Sequence, residues 1–170
     1  MDGETEIYYT SDAKFIDTGI NYNVSEEYID EDTDQQLMDV RSFPEGDRNC
    51  YTLQPAQGKN HKYLIRAWFM YGNYDSKNQP PIFKLYLGVD EWATVRIEKA
   101  IEISMAEIIH IPITDDIDVC LVNTGLGTPF ISVLELRQLN DSIYSPAEPG
   151  SLLLKGRLDF GTQEALYAIR

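Results

Sequence analysis

Apolar and polar residues alternate over short stretches of this chain, and this period-two pattern restricts the possible folds more than any other feature. In residues 83–87, Phe83, Leu85 and Leu87 fall on one face of an extended chain. The same alternation recurs in 94–98 and 109–113. Residues 63–71 are rich in aromatic and branched residues and end at a turn-forming cluster, and 117–122 and 130–136 read as strands on either side of a glycine-rich connection. The best helical candidate is only a turn or two around Asp34 to Arg41. The sequence therefore predicts an all-β chain, a sandwich or jelly roll joined by short turns.

Size and charge limit the function classes. With 170 residues the chain suits one domain, or one domain plus part of another. Its 14 Lys and Arg against 28 Asp and Glu give a net charge of −14, which repels phosphate backbones and anionic lipid. Nucleic acid and direct membrane contact are therefore not expected as partners.

Turn-forming residues divide the chain near its end. Prolines and a glycine punctuate residues 140–150, which read as a linker. We therefore expect one β-sandwich domain over residues 1–139. Residues 151–170 are either the closing strand of that sandwich or the start of a second, incomplete fold.

Features that report on the cell compartment are mixed. No run of about 18 apolar residues could span a bilayer, and the acidic N-terminus does not resemble a secretory signal. Such a chain either stays inside the cell or has lost its signal. Two N-x-S/T triplets, at Asn23 and Asn140, predict surface glycosylation sites if the protein is secreted.

Metal and redox signals are weak. Cys50 and Cys120 either form a disulfide across 70 residues or remain two buried thiols. With only His61 and His110 in addition, a zinc site is not expected. The acidic run 25–35 lacks the glycine and the spacing of an EF-hand, so we interpret it as a solvated loop. No metal and no cofactor are predicted.

No catalytic motif is present, so the chain is not expected to be an enzyme. Neither histidine lies in a nucleophile motif such as G-x-S-x-G. The glycine-rich connection 125–130 lacks the lysine and the third glycine of a phosphate loop. Abundant carboxylates leave a glycosidase as a third, remote alternative.

Aromatic residues near two junctions between strands and loops provide the candidate site. Aromatic faces stack on sugar rings while amides and carboxylates bind hydroxyls, which suggests a carbohydrate or peptide groove. The alternative is that the same rings pack in the core. The candidate ligand-binding residues are Trp68, Tyr71, Asn73, Tyr74, Asp75 and Trp92.

Several long strings resemble the malectin-like extracellular domain of plant leucine-rich-repeat receptor-like kinases. The most specific are RSFPEGDRNCY (41–51), FMYGNYD (69–75) and VCLVNTGLGTPFISVLELR (119–137). Further similar blocks are residues 9–19 and 83–92, so the resemblance covers most of the chain. Trp68 and Lys84 depart from the family pattern, which tends to have a small or acidic residue there.

The resemblance implies a malectin-like β-sandwich of the jelly-roll type on the extracellular side of the plasma membrane. Such ectodomains usually carry two malectin folds in tandem, and 152–161 is similar to the opening strand of the second. The family's signal peptide, membrane span and kinase are not seen in this sequence. The implied function is non-catalytic recognition of a cell-wall or glycan carbohydrate. The alternative is an interaction scaffold that binds a secreted peptide or a co-receptor ectodomain without carbohydrate affinity.

Overall fold

The computed structural model of the protein describes residues 8–140 and 150–153. Within these ranges it contains eleven strands, three short 3-10 turns and no α-helix, which confirms the all-β prediction. The strands are β1 (Ile20–Asn23), β2 (Asp39–Ser42), β3 (Arg48–Leu53), β4 (Tyr63–Met70), β5 (Ile82–Leu87), β6 (Asp90–Arg96), β7 (Ile103–Ile111), β8 (Ile117–Leu126), β9 (Phe130–Ile131), β10 (Val133–Gln138) and β11 (Gly150–Leu153).

The strands form two four-stranded sheets and one small sheet, all with antiparallel pairing. One large sheet has the order β10-β4-β7-β11 and the other has the order β3-β8-β5-β6. The small sheet has the order β1-β2-β9. Because β9 and β10 are separated by one residue, the chain passes directly from the small sheet into a large one.

The core lies between the two large sheets, as the alternating stretches predict. Phe69 of β4, Phe83 of β5 and Phe130 of β9 are fully buried, and their ring centroids lie 5.6 to 6.2 Å apart. The edge-to-face arrangement of these rings is a favoured geometry for aromatic pairs. Three rings from different strands therefore hold the two layers together.

A disulfide joins neighbouring strands of the second large sheet. Cys50 of β3 lies directly opposite Cys120 of β8 in the strand register, with 4.0 Å between the Cα atoms. This settles the two alternatives left open by the sequence. The crosslink closes a loop of 70 residues, which in the chain-entropy model stabilises the fold by about 4 kcal/mol.

The acidic stretch between β1 and β2 forms an irregular loop. Asp30 Oδ1 accepts hydrogen bonds from Thr33 Oγ1 at 2.7 Å and from the Asp32 N–H at 3.2 Å, which shapes a tight turn. No group of three or more metal-binding side chains occurs among the residues that the structure describes. The helical candidate at residues 34–41 is wrong beyond its first turn, because a 3-10 turn at Gln35–Leu37 leads straight into β2.

The last described strand belongs to the same sandwich. β11 pairs with β7, and all four of its residues are exposed. Most of the linker 140–150 and residues 154–170 lie outside the described residues, so the domain division stays a prediction.

Candidate functional site

A cleft of about 520 Å³ opens where two paired strands separate. β2 pairs with β9 through Arg41 and Ile131. After Ile131 the chain leaves β2 and, as β10, pairs with β4 instead, so β2 and β10 are the arms of a fork. Residues 8–12 form a further wall of this fork cleft, whose arms contribute residues 39–41 and 131–137.

A hydrogen-bonded ion pair stands on the β2 side of the fork cleft. Arg41 donates from Nε to Asp12 Oδ2 and from Nη2 to Asp12 Oδ1, both at 2.5 Å. The Tyr51 hydroxyl donates to Asp12 Oδ2 at 2.9 Å, and Arg41 Nη1 donates to the Thr18 carbonyl at 3.1 Å. The N-terminal segment is thereby fixed to β2 by a bidentate pair, the strongest geometry for arginine and carboxylate.

The same contacts shift the pKa values of these groups. Burial raises the pKa of Asp12, but the hydrogen bonds from Arg41 and Tyr51 and the guanidinium charge outweigh it, so the pKa lies below 3.8. Burial, followed by the charge of Asp12, raises the pKa of Tyr51. Asp12 is therefore charged, and Tyr51 neutral, at neutral pH.

A second polar cluster stands on the β10 side. Glu135 Oε1 accepts hydrogen bonds from Trp68 Nε1 at 2.9 Å and from the Tyr9 hydroxyl at 3.1 Å. Its Oε2 accepts one from Arg137 Nη2 at 2.7 Å and lies 3.7 Å from Arg66 Nη1. The buried carboxylate of Glu135 is therefore fully paired and holds Tyr9 over β10.

Asp39 differs from the other charged residues of the fork cleft. It is exposed, lines the cleft at the start of β2, and makes no side-chain hydrogen bond or ion pair with the described residues. Its carboxylate is therefore available to a cationic group of a ligand.

The structure places four of the predicted site residues in the turn after β4, and three of them are buried. Tyr71 is 0% exposed and Tyr74 is 8% exposed, and both rings pack against Phe130. The buried Asn73 adopts a φ of 49°, and its Oδ1 accepts a hydrogen bond from the Asn78 N–H at 2.8 Å. Half-buried Asp75 accepts a hydrogen bond from the Tyr71 hydroxyl. These contacts give the four residues a packing role, and ligand binding by them stays a prediction.

The two tryptophans lie apart from this turn and from each other. Trp92 is 5% exposed, and its ring lines a second cavity of about 550 Å³ between β6 and β7. Trp68 lies half-buried on the outer face of β4, where Arg66 stacks on its ring at 5.6 Å. None of the six predicted residues lines the fork cleft, and Trp68 is connected to it only through its hydrogen bond to Glu135.

Other expectations can be compared with the described residues. Asn23 is exposed at the end of β1 and Asn140 is exposed after β10, so glycosylation at both stays a prediction. His110 Nδ1 lies 2.8 Å from Ser151 Oγ, a contact between directly opposed residues of β7 and β11. None of the described residues belongs to a helix long and apolar enough to cross a membrane.

The fork cleft itself was not predicted from the sequence. Its polar residues Asp12, Arg41, Tyr51 and Glu135 come from three separate segments of the chain, which the fold brings together. All four lie inside the strings that resemble the malectin-like family. Their place inside these strings was the only feature of the sequence that could have identified them.

Comparison with known proteins identifies the family. The model of the malectin-like domain matches residues 1–170. The leucine-rich-repeat receptor-like serine/threonine-protein kinase At2g19230 of Arabidopsis thaliana is 48% identical over 98% of this chain, and IOS1, a kinase of the same class and organism, is 46% identical over 92%. The chain spans 19% and 17% of these two relatives.

Solved structures with the same fold are ectodomains of plant receptors. The ANX1 ectodomain from Arabidopsis thaliana has a TM-score of 0.63 with 17% identity, over 76% of this chain and 36% of that one. The crystal structure of the plant peptide RALF23 in complex with FER and LLG2 has a TM-score of 0.66 with 14% identity, over 85% of this chain and 40% of that one. At these identities the likeness supports the fold alone. Together with the whole-chain family match, it leads to one conclusion: the chain belongs to the malectin-like domain family.

Proposed function

We propose that this chain is a non-catalytic recognition module on the extracellular side of the plasma membrane, and that its fork cleft binds a secreted peptide with basic residues. The observation that carries this proposal is the exposed carboxylate of Asp39 at an open cleft whose other charges are already paired. The cleft volume of about 520 Å³ lies within the usual range for ligand sites.

Charge favours a basic ligand. Asp12 is paired with Arg41, and Glu135 is paired with Arg66 and Arg137, so these groups balance one another. Asp39 adds an uncompensated negative charge, and the whole chain carries −14. Such a field attracts cationic peptides and speeds their association.

The disulfide and the comparisons support an extracellular role in peptide recognition. Disulfides persist in oxidising compartments such as the cell exterior, and Cys50 and Cys120 are bonded here. The relatives are receptor-like kinases, and one structural neighbour was solved with the peptide RALF23 and with LLG2. A glycan on the exposed Asn23 would fit the same location.

Carbohydrate binding is the second candidate, because one rim of the fork cleft carries exposed aromatic surface. Tyr8 is 77% exposed and Tyr9 is 37% exposed, and the side chains of Asn21 and Gln36 line the same cleft. A ring face beside amide groups is the usual arrangement for binding a sugar. An oligosaccharide could therefore occupy this rim.

Titration calorimetry distinguishes the two candidates. The probes are capped octapeptides in which lysine alternates with valine, threonine or tyrosine, and a panel of cell-wall and glucose oligosaccharides. We expect peptide binding that weakens as salt increases, and a loss of about threefold in affinity for Asp39→Asn, the effect of removing one exposed ion pair.

The control is Asp32→Asn, which removes an exposed carboxylate outside the fork cleft. It should change the affinity less than Asp39→Asn, since it alters the net charge equally but leaves the cleft intact. If only oligosaccharides bind, and Tyr8→Ala removes that binding, the carbohydrate function replaces the peptide function. If neither class of probe binds, the fork cleft is not a recognition site.

A further inference from the structure

We propose that the peptide binds in the fork cleft as an added β-strand, paired with the free edge of β10. This inference rests on the proposed function and adds the conformation and the contacts of the ligand. It follows from the directions of the backbone groups on the two arms of the fork.

β10 is an edge strand whose unpaired groups point into the fork cleft. The Leu139 N–H donates to the Lys62 carbonyl at 2.8 Å, in register with the pairing of β10 and β4. Because backbone groups alternate in direction along a strand, Leu134 and Leu136 point their N–H and C=O groups away from β4. In the described part of the chain no strand pairs with that side of β10, and no backbone hydrogen bond engages either amide.

The other arm presents a matching backbone group. The Phe43 N–H donates to the Pro129 carbonyl at 2.9 Å, so odd-numbered residues of β2 point toward β9. Arg41 is paired there with Ile131, but Asp39 lies beyond the end of β9 and points its backbone groups into the gap. Both arms of the fork therefore expose unpaired backbone groups, which are the groups that an added strand engages.

The lining of the fork cleft shows that it follows a strand edge. Seven consecutive residues, 131–137, line the cleft. Since the side chains of a strand alternate between two faces, a cleft that touched only one face would be lined by every second residue. The fork cleft therefore exposes the backbone edge of β10, which is the surface used in recognition by strand addition.

Charge and geometry together define the occupant as an extended basic segment. Backbone pairing with Leu134 and Leu136 supplies hydrogen bonds that do not depend on the peptide sequence. The exposed carboxylate of Asp39 at the mouth of the fork selects a lysine or an arginine. A basic side chain at one position, with backbone pairing along the rest, is the recognition pattern we infer.

The test is amide hydrogen exchange measured by NMR on the full chain, with and without the capped lysine-containing octapeptides described above. We expect the amides of Leu134 and Leu136 to exchange at least about tenfold more slowly with peptide, because each gains a hydrogen bond. The amides of Val133 and Glu135, which point toward β4, are internal controls and should change less.

N-methylation of the probe provides a second readout. Methyl groups placed on single peptide amides should weaken binding by about tenfold at alternate positions and less at the positions between. An affinity that falls with Asp39→Asn, without protection of Leu134 and Leu136 and without the alternating pattern, would overturn strand addition while leaving the proposed function intact. Failure of every peptide to bind would overturn both.

Discussion

Removal of the Cys50–Cys120 disulfide provides a quantitative test of the fold. In the double variant Cys50→Ala, Cys120→Ala the unfolded chain regains the freedom of a 70-residue loop. The chain-entropy relation gives a loss of about 4 kcal/mol in the free energy of unfolding. A domain of this size is stable by about 5 to 15 kcal/mol, so the loss is a large part of the total.

Urea denaturation followed by tryptophan fluorescence measures this loss. With a slope of about 2 kcal/mol per molar urea, the midpoint should fall by about 2 M. The wild-type protein with its disulfide reduced should unfold at nearly the same urea midpoint as the double variant. This control distinguishes the effect of losing the crosslink from the effect of removing the two sulfur atoms. A fall of less than about 0.5 M would refute the reasoning, since the crosslink would then contribute little of its chain-entropy value.

Three further variants test the packing, the ion pair and the turn. Tyr71→Ala should lower the free energy of unfolding by about 3 to 5 kcal/mol, since it removes a fully buried ring. Near-wild-type stability would contradict this packing role and favour a surface position for Tyr71. Arg41 helps to keep the folded-state pKa of Asp12 below 3.8. The difference in unfolding free energy between wild type and Asp12→Asn should therefore be largest at neutral pH and should decrease as the pH falls below about 3.8. A difference that does not depend on pH would contradict the ion pair. Gly72→Ala should lower the melting temperature, since the new Cβ would lie 2.1 Å from Val24 Cγ1 and Gly72 has a φ of +46°; unchanged melting would show that the turn can relax.

The strands could be predicted because alternation and a composition rich in aromatic and branched residues are local properties of the sequence. The stretch 83–87 matches β5 at 82–87, and 63–71 matches β4 at 63–70. The alternation does not reveal which layer covers each face of a strand. Trp68 lies on the outer face of β4, whereas Tyr71 and Tyr74 follow that strand into a turn sealed by Phe130.

The fork cleft could not be predicted because it depends on strand pairing between distant residues. β2 and β10 are about 90 residues apart in sequence, and the pairing of β2 with β9 holds their ends close together. The cleft opens because the chain leaves β2 after Ile131 and pairs with β4 as β10. The disulfide depends in the same way on the register between β3 and β8. The resemblance to the malectin-like family identified the segments involved, and only the fold showed how they meet.

The most direct test of ligand binding in the fork cleft is an NMR titration of the full chain with the capped basic octapeptides. We predict that the largest chemical-shift changes fall on residues 8–12, 39–41 and 131–137. Changes centred on the turn at 71–75 or on Trp92, or no changes at all, would contradict peptide recognition at the fork cleft.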